Sequence, residues 1–267
     1  MQSILRTAVE AALAAGEEIM QVYDSDFSVE YKTDESPLTR ADENAHRVIT
    51  AILSPPGIPV LSEEGKSIPF EERKNWSELF VVDPLDGTKE FVKRNGEFTV
   101  NIALVRNGKP VLGVIYVPVM RTLYYGAEGI GAFKIPQVDD REKLIGDWEK
   151  RTELMLPAQA LPEVCTIVGS RSHASPETEA YIKDMQKQHG EVNFAASGSS
   201  LKFCLLAEGK AHYYPRFAPT MEWDTAAGQA ILEAAGGKVF VHPGNAPLRY
   251  NREELRNPWF LASAPGL

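Results

Sequence analysis

The sequence predicts an α+β first half followed by an α/β second half. Two stretches with helical spacing of apolar residues come first, over residues 2–23 and up to about residue 53, and several short strand patterns follow them. Further along the chain, strand patterns alternate with helical ones, which is typical of an α/β unit. Residues 135–160 carry mixed charge and little periodicity. We therefore expect two domains, over residues 1–157 and 158–267.

Strands dominate the rest of the first half. Asn107 and Gly108 form a strong hairpin signal, and the strand before them alternates apolar and polar residues, as a half-buried strand does. The predicted strands of this half are residues 27–31, 58–61, 79–82, 98–104, 111–117, the glycine-broken stretch 123–133 and 153–156.

The second half contains shorter elements. Gly236 and Gly237 are expected to end its last helix. The predicted strands are residues 164–168, 192–194 and 211–214, and the predicted helices are residues 176–188, 201–207 and 224–235.

The composition is that of an ordinary globular protein. Of the 267 residues, 43% are hydrophobic and 24% are charged, and the two cysteines imply no disulfide framework. The net charge of −9 argues against a nucleic-acid polymer as partner. We expect no transmembrane segment and no secretory leader, and therefore a cytoplasmic location.

The motif Asp-Pro-Leu-Asp-Gly-Thr at residues 83–88 follows a predicted buried strand, and its proline and glycine predict a turn. Asp83 and Asp86 can face one small volume there, where two like charges raise each other's pKa. A hard cation such as Mg²⁺ removes that conflict, because it binds carboxylate oxygens, carbonyl oxygens and water. Leu85 can supply a carbonyl oxygen, and the Thr88 hydroxyl can hold a water. The motif predicts a metal site.

Three other acidic segments have an ordinary structural interpretation beside a functional one. Asp42 follows Thr39 by three positions, as in a capping box. Glu63 and Glu64 precede a glycine, as in a solvated turn. Asp224 stands where a helix N-cap belongs. From these residues alone, both interpretations stay open.

The acidic segments occur in a fixed order: Ser-Glu-Glu-Gly at residues 62–65, the motif at residues 83–88 and Trp-Asp at residues 223–224. In order and spacing they resemble the inositol monophosphatase family of Mg²⁺-dependent, lithium-sensitive phosphatases across nearly the whole chain. The resemblance implies a layered α-β-α-β-α sandwich of the sugar-phosphatase type.

The resemblance also implies a ligand set. Glu63, Asp83 and the Leu85 carbonyl would bind one Mg²⁺, and Asp83, Asp86 and Asp224 would bind another. Two or three ions are implied in all. The three residues Glu63, Asp83 and Asp86 would thus be catalytic through the metal, and Asp224 would also contact substrate.

Thr88 has a catalytic role in this family pattern. Hydrogen-bonded to Asp42, it would orient the attacking water and help to deprotonate it. The backbone amides of Gly87 and Thr88 would bind phosphate oxygens.

Residues 89–91, 93–101, 169–173, 198–204 and 214–217 resemble, within the family, the 3'(2'),5'-bisphosphate nucleotidases. A second phosphate site is therefore expected.

Four residues from these segments would hold the 5'-phosphate: Ser199, Lys202, Arg216 and His173. For Lys202 and Arg216 the alternative is an ordinary surface cation, and His173 has the alternative of capping the helix that begins near residue 176.

The implied activity is hydrolysis of the 3'-phosphate of adenosine 3',5'-bisphosphate to AMP and phosphate, in sulfur assimilation. The sulfated analogue, 3'-phosphoadenosine 5'-phosphosulfate, is a further candidate substrate. Inositol monophosphate or a sugar bisphosphate is the alternative with the same chemistry. A non-catalytic phosphate sensor is disfavoured, because a sensor needs neither Thr88 nor Asp42. The sequence leaves the oligomeric state open, and only the resemblance suggests peripheral contact with the inner membrane.

Overall fold

The computed structural model of the protein describes residues 1–25, 29–31, 37–55, 57–170 and 175–267. Two large β-sheets and three sets of helices alternate as layers, which confirms the predicted α-β-α-β-α sandwich. The helices of the described residues are α1 (Gln2–Tyr23), α2 (Arg40–Leu53), α3 (Phe70–Arg73), α4 (Thr88–Val92), α5 (Arg141–Gly146), α6 (Pro176–His189), α7 (Leu201–Ala207) and α8 (Ala226–Ala234).

The first sheet has seven strands, and each pairs with the next along the chain. Only the first two of them, β3 and β4, are parallel. These strands are β3 (Val60–Ser62), β4 (Glu78–Asp86), β5 (Thr99–Arg106), β6 (Lys109–Val117), β7 (Thr122–Ala127), β8 (Gly131–Ile135) and β9 (Leu154–Met155).

The predicted hairpin joins β5 to β6. Asn107 and Gly108 have φ values of +50° and +74°, as a two-residue hairpin turn requires. A separate two-stranded sheet pairs β1 (Val29–Tyr31) with β2 (Pro37–Thr39). Residues 27–28 of the predicted first strand lie outside the described residues.

The second sheet is mixed, in the order β11-β10-β12-β14-β13. Strands β11, β10 and β12 are parallel, and β14 pairs antiparallel with β12 on one side and with β13 on the other. Its strands are β10 (Cys165–Gly169), β11 (Val192–Ala196), β12 (Tyr213–Arg216), β13 (Lys238–Val241) and β14 (Phe260–Ser263). Neither β13 nor β14 is predicted from the sequence, since each is a four-residue stretch without clear alternation.

Helices cover both faces of the first sheet. Helices α1 and α2 pack on one face, α7 and α8 lie between the two sheets, and α6 covers the outer face of the second sheet. The prediction of a half-buried strand at residues 98–104 is therefore wrong. Residues 98–105 are all buried, because β5 lies in the middle of the sheet with helices on either side.

One hydrophobic cluster spans both halves of the chain. It contains Ile115 of β6, Phe203 of α7 and Phe260 of β14, and it fills the space between the sheets. The two halves thus share a core, and the domain boundary at residue 157 stays a prediction. In the ranges that the structure describes, no helix is both long and apolar enough to cross a membrane.

Candidate active site

The two aspartates of the 83–88 motif lie on strand β4. The predicted turn at the proline is wrong, because β4 continues to Asp86 through a β-bulge. Asp83 pairs with Asn101 and Asp86 with Thr99, so β4 advances three residues where β5 advances two. In a regular strand, residues three apart point to opposite faces, and the extra residue turns both aspartates to the same side. The bulge also tolerates Pro84, which has no N–H to donate.

Gly87 ends the strand in a backbone conformation that favours glycine, with φ +93°. A Cβ atom here would lie 2.2 Å from the Ser199 hydroxyl, and that hydroxyl donates a hydrogen bond of 2.8 Å to the Asp86 carbonyl. The chain then enters α4 at Thr88, which is half-buried. Gly87 thus permits residues 198–200 of the second half to contact the motif directly.

Neutral polar side chains hold the Asp86 carboxylate. Its Oδ2 accepts hydrogen bonds from the Ser200 hydroxyl at 2.9 Å and from Asn101 Nδ2 at 3.3 Å. The Thr99 hydroxyl lies 3.5 Å from the same oxygen and donates to Asn101 Oδ1 at 2.9 Å. The Ser200 hydroxyl also lies 2.7 Å from the Asp224 carbonyl oxygen, and its one hydrogen serves one of these two acceptors at a time.

The sequence alone predicts no role for Thr99, Asn101 or Ser200. A signal was present for two of them, because Thr99 and Asn101 are polar residues two apart in an otherwise apolar strand. Both are completely buried, and a buried polar pair on one face of a strand has a partner on that face. Ser200 carries no comparable signal, since its partners lie 114 and 24 positions away along the chain.

Asp224 lies just before α8 and is not its N-cap, so that structural interpretation is wrong. Thr225 occupies the cap position, and Asp224 Oδ2 accepts a 2.9 Å hydrogen bond from the N–H of Met221. The carboxylate therefore closes the turn that precedes the helix, in a loop that faces the end of β4.

Glu63 and Asp42 come from two further segments. Glu63 is exposed in a turn closed by the Gly65 N–H and the Ser62 carbonyl at 3.0 Å, so the predicted solvated turn is confirmed as local structure. Asp42 lies in the first turn of α2 and is 2% exposed. The capping-box interpretation depends on the Thr39 side chain, which the structure does not describe. The hydrogen bond between Asp42 and Thr88 stays a prediction.

The acidic side chains from these segments share one electrostatic field. Burial raises the pKa of Asp83 well above its usual value, and the charges of Glu63, Asp86, Asp224 and Asp42 raise it further. Burial, together with the charge of Asp86, raises the pKa of Asp224 to about 8. Asp83 thus lies within the electrostatic influence of the other four predicted acidic residues.

The donors at this site suit a hard divalent cation. They are carboxylate oxygens, and the carbonyl of buried Leu85 lies in the bulge between two of them. Among the described residues, no three Asp, Glu, His or Cys side chains form a ready-made ligand cage. Mg²⁺ takes water and carbonyl oxygens for part of its coordination, so it does not need a complete cage of acidic side chains. The residues therefore fit Mg²⁺.

Lys202 is buried, so its interpretation as a surface cation is wrong. Its Nζ donates to the carbonyl oxygens of Ser199 at 2.6 Å and Ser197 at 3.2 Å. Burial lowers the pKa of Lys202 to about 8, and the charge of Asp86 opposes that shift. Ser199 is held with φ +46° in the loop that Lys202 closes.

Arg216 lies at the end of β12, near the same loop. Its Nη2 donates to the Pro219 carbonyl at 3.0 Å, whereas its buried Nε finds no hydrogen-bond partner in the described part of the chain. A small cavity beside it is lined by residues including Ser170 and Phe217. His173, the remaining phosphate-binding candidate, lies outside the described residues.

A five-layered sandwich with buried carboxylates at the end of β4 defines the class of inositol monophosphatase-like proteins. The chain belongs to the inositol monophosphatase family, whose model matches residues 1–262. Members of this family are generally metal-dependent.

Relatives cover the chain almost completely. It is 46% identical to the 3'(2'),5'-bisphosphate nucleotidase CysQ of Salmonella typhimurium, over 96% of this chain and 98% of that protein. It is likewise 46% identical to CysQ of Escherichia coli K12, over 97% and 99%. The crystal structure of CysQ from Bacteroides thetaiotaomicron matches with a TM-score of 0.89 and 51% identity, covering 99% of this chain and 98% of that chain. The suhB protein of Bartonella henselae matches at 27% identity and a TM-score of 0.73, over 98% and 94%.

Proposed function

We propose that this protein is a Mg²⁺-dependent 3'(2'),5'-bisphosphate nucleotidase that hydrolyses adenosine 3',5'-bisphosphate to AMP and phosphate, in sulfur assimilation. One observation supports the chemistry above all: carboxylates from distant segments surround buried Asp83 and raise its pKa. The full-length relatives named 3'(2'),5'-bisphosphate nucleotidase support the substrate. The sulfated analogue, 3'-phosphoadenosine 5'-phosphosulfate, is proposed as a second substrate.

We assign the metal ligands as the resemblance implies. Glu63, Asp83 and the Leu85 carbonyl would hold one Mg²⁺, and Asp83, Asp86 and Asp224 another, with two or three ions in all. When bound, Mg²⁺ polarises the phosphoryl oxygens, lowers the pKa of a water and offsets the charge of the carboxylates. The hydrogen bonds from Ser200 and Asn101 to Asp86 would fix the orientation of that ligand.

The residues of the 83–88 motif would act on the reacting groups. Thr88 would accept a proton from the attacking water while its own hydroxyl proton passes to the Asp42 carboxylate, and the water oxygen would form the new bond to phosphorus. The bond from phosphorus to the 3'-oxygen breaks, and that oxygen leaves with a proton from solvent. The amides of Gly87 and Thr88 donate to the phosphate oxygens, where the extra negative charge develops.

Arg216 is the residue that we assign to the 5'-phosphate most directly. Among the described residues its buried Nε has no acceptor, and a buried donor without a partner is costly unless a ligand meets it. Lys202 adds positive charge beneath the loop and holds Ser199 in place through its carbonyl. His173 completes the proposed set by resemblance alone. Inositol monophosphate has no second phosphate for these cations to meet, which disfavours that alternative.

Phosphate release from adenosine 3',5'-bisphosphate, adenosine 3'-monophosphate and inositol 1-phosphate, with and without Mg²⁺, tests the proposal. The bisphosphate should be hydrolysed fastest, only with Mg²⁺, and Li⁺ should inhibit. Arg216→Met should remove about tenfold or more of the preference for the bisphosphate over the monophosphate, since hydrogen bonds to charged groups contribute about 1.5–3 kcal/mol. Arg249→Met, at an exposed arginine, is the control. A preference for the inositol ester would overturn the proposed substrate.

A further inference from the structure

A buried arginine outside the carboxylate cluster ties α3 to the segment near the C-terminus. Arg73, the last residue of α3, is 2% exposed. Its guanidinium donates to the carbonyl oxygens of Arg252 at 2.6 Å and Glu253 at 2.9 Å, and to Asn251 Oδ1 at 3.0 Å. Asn251 Nδ2 donates in return to the Arg73 carbonyl at 2.8 Å. A buried charge is costly, and contacts this numerous fix both segments relative to each other.

The same segment is tied to the loop that carries Asp224. Glu222, two residues earlier, is completely buried. Its carboxylate accepts from the N–H of Asn251 at 2.7 Å and of Arg252 at 3.1 Å, and the Arg252 guanidinium lies 3.2 Å away. The Glu222 N–H donates to the Leu255 carbonyl at 2.9 Å, so the loop is held through both its backbone and its side chain.

The Asn257 side chain is hydrogen-bonded to residues that precede and follow Asp224 in the chain. Its Nδ2 donates to the Met221 carbonyl at 2.7 Å and to the Thr225 hydroxyl at 2.9 Å. The segment of residues 251–257 thus runs beneath the whole turn that presents the Asp224 carboxylate.

On the other side, Arg73 reaches back towards the loop of Glu63. Its Nε donates to the Ile68 carbonyl at 3.4 Å, within the stretch that joins Glu63 to α3. The hydrogen bonds of Arg73 therefore connect the stretch that follows Glu63 to the segment that holds the Asp224 loop.

We propose that Arg73, Glu222 and residues 251–257 form a strap that positions Glu63 and Asp224 for metal binding. This rests on the proposed metal site. Without such a restraint the two loops would be free to move relative to each other, and Mg²⁺ binding would have to order them. The strap removes most of that reordering. Arg73 and Asn251 are positioning residues, since they reach the metal site only through the loops that they hold.

Asn251→Gly is the sharpest variant. Asn251 has φ +60°, which glycine adopts readily, so the change removes the side-chain bonds with Arg73 and keeps the backbone path. Arg73→Lys keeps the charge and loses the planar fork of donors. Arg106→Lys is the matched control, because Arg106 pairs with Glu78 at 2.6 Å at the opposite end of β4 and β5.

The measurements are Mg²⁺ binding by calorimetry without substrate, and the melting temperature without Mg²⁺. We expect Asn251→Gly and Arg73→Lys to weaken Mg²⁺ binding about tenfold, as changes behind metal ligands do, and the control to leave it unchanged. Activity of both variants should recover at correspondingly higher Mg²⁺. A lowered melting temperature with unchanged Mg²⁺ affinity would reduce the strap to a structural feature and overturn the proposal.

If Arg73→Lys does not fold, Asn251→Gly decides by itself. Failure of the proposed metal site gives a different result: the unaltered protein would then bind no Mg²⁺, and the strap would have nothing to position.

Discussion

Ser200→Ala tests whether the hydroxyl that joins the two halves of the chain tunes the metal site. The hydroxyl lies 2.9 Å from Asp86 Oδ2 and 2.7 Å from the Asp224 carbonyl oxygen, so its loss affects the segments that carry both of these aspartates. A hydrogen bond to a charged group contributes about 1.5–3 kcal/mol. Asn101 Nδ2 still reaches Asp86 at 3.3 Å, which favours the lower end of that range.

About 1.5 kcal/mol corresponds to a little more than tenfold, and we expect kcat/KM for adenosine 3',5'-bisphosphate to fall by about that factor. The Mg²⁺ concentration for half-maximal activity should rise, because the change loosens a ligand and leaves the substrate contacts in place. Steady-state phosphate release across a Mg²⁺ titration measures both quantities.

Thr122→Val is the matched control, since it removes a buried hydroxyl that donates to the Met120 carbonyl at 2.9 Å, away from the site. Folded Ser200→Ala protein with kcat/KM and Mg²⁺ dependence within twofold of the unaltered enzyme would refute the reasoning.

Three further predictions concern the ends of the β4 motif and its field. Asp86→Asn should preserve the fold, as measured by circular dichroism. Because residues that only support a metal ligand cost up to about 100-fold when changed, loss of a ligand itself should reduce Mg²⁺-dependent phosphate release by more than that. An unaltered rate would show that Asp86 is not a metal ligand. Gly87→Ala should lower both the melting temperature and kcat/KM. The left-handed backbone costs an alanine about 1–2 kcal/mol, and the new Cβ would lie 2.2 Å from the Ser199 hydroxyl and displace that hydroxyl. Full activity would contradict the close packing of Gly87 against Ser199. Burial and neighbouring charges raise the pKa of Asp83 well above 3.8 and that of Asp224 to about 8, so both gain protons on folding. The free energy of unfolding without metal should therefore fall as pH rises from 3.8 towards 8, and added Mg²⁺ should remove most of that fall. Urea unfolding at several pH values, with and without Mg²⁺, measures both effects. A free energy of unfolding independent of pH and Mg²⁺ would contradict the electrostatic coupling of these carboxylates.

Local patterns in the sequence predict most of the helices and the strands of the first sheet. The apolar spacing of residues 2–23 coincides with α1, and the signal at Asn107 and Gly108 coincides with the β5–β6 turn. These features depend on neighbours within a few positions, which a sequence displays directly.

Features that depend on distant partners are less accessible. The bulge in β4 follows from its register with β5, so Pro84 and Gly87 alone suggested a turn. Lys202 has the composition of a surface residue, and its burial follows from the carbonyls of the loop folded over it. The missed Ser200 is a similar case, because its role exists only once the second half lies against the first.

Helix α7 is fastened to the first sheet at both of its ends. Ser200, just before it, contacts Asp86, and Glu208, just after it, accepts from the Tyr124 hydroxyl at 2.7 Å and from Lys134 Nζ at 3.0 Å. A hinge between the sheets would have to break both attachments at once. We therefore expect the end of β4 that carries Asp86 to keep its position relative to α7 when substrate binds.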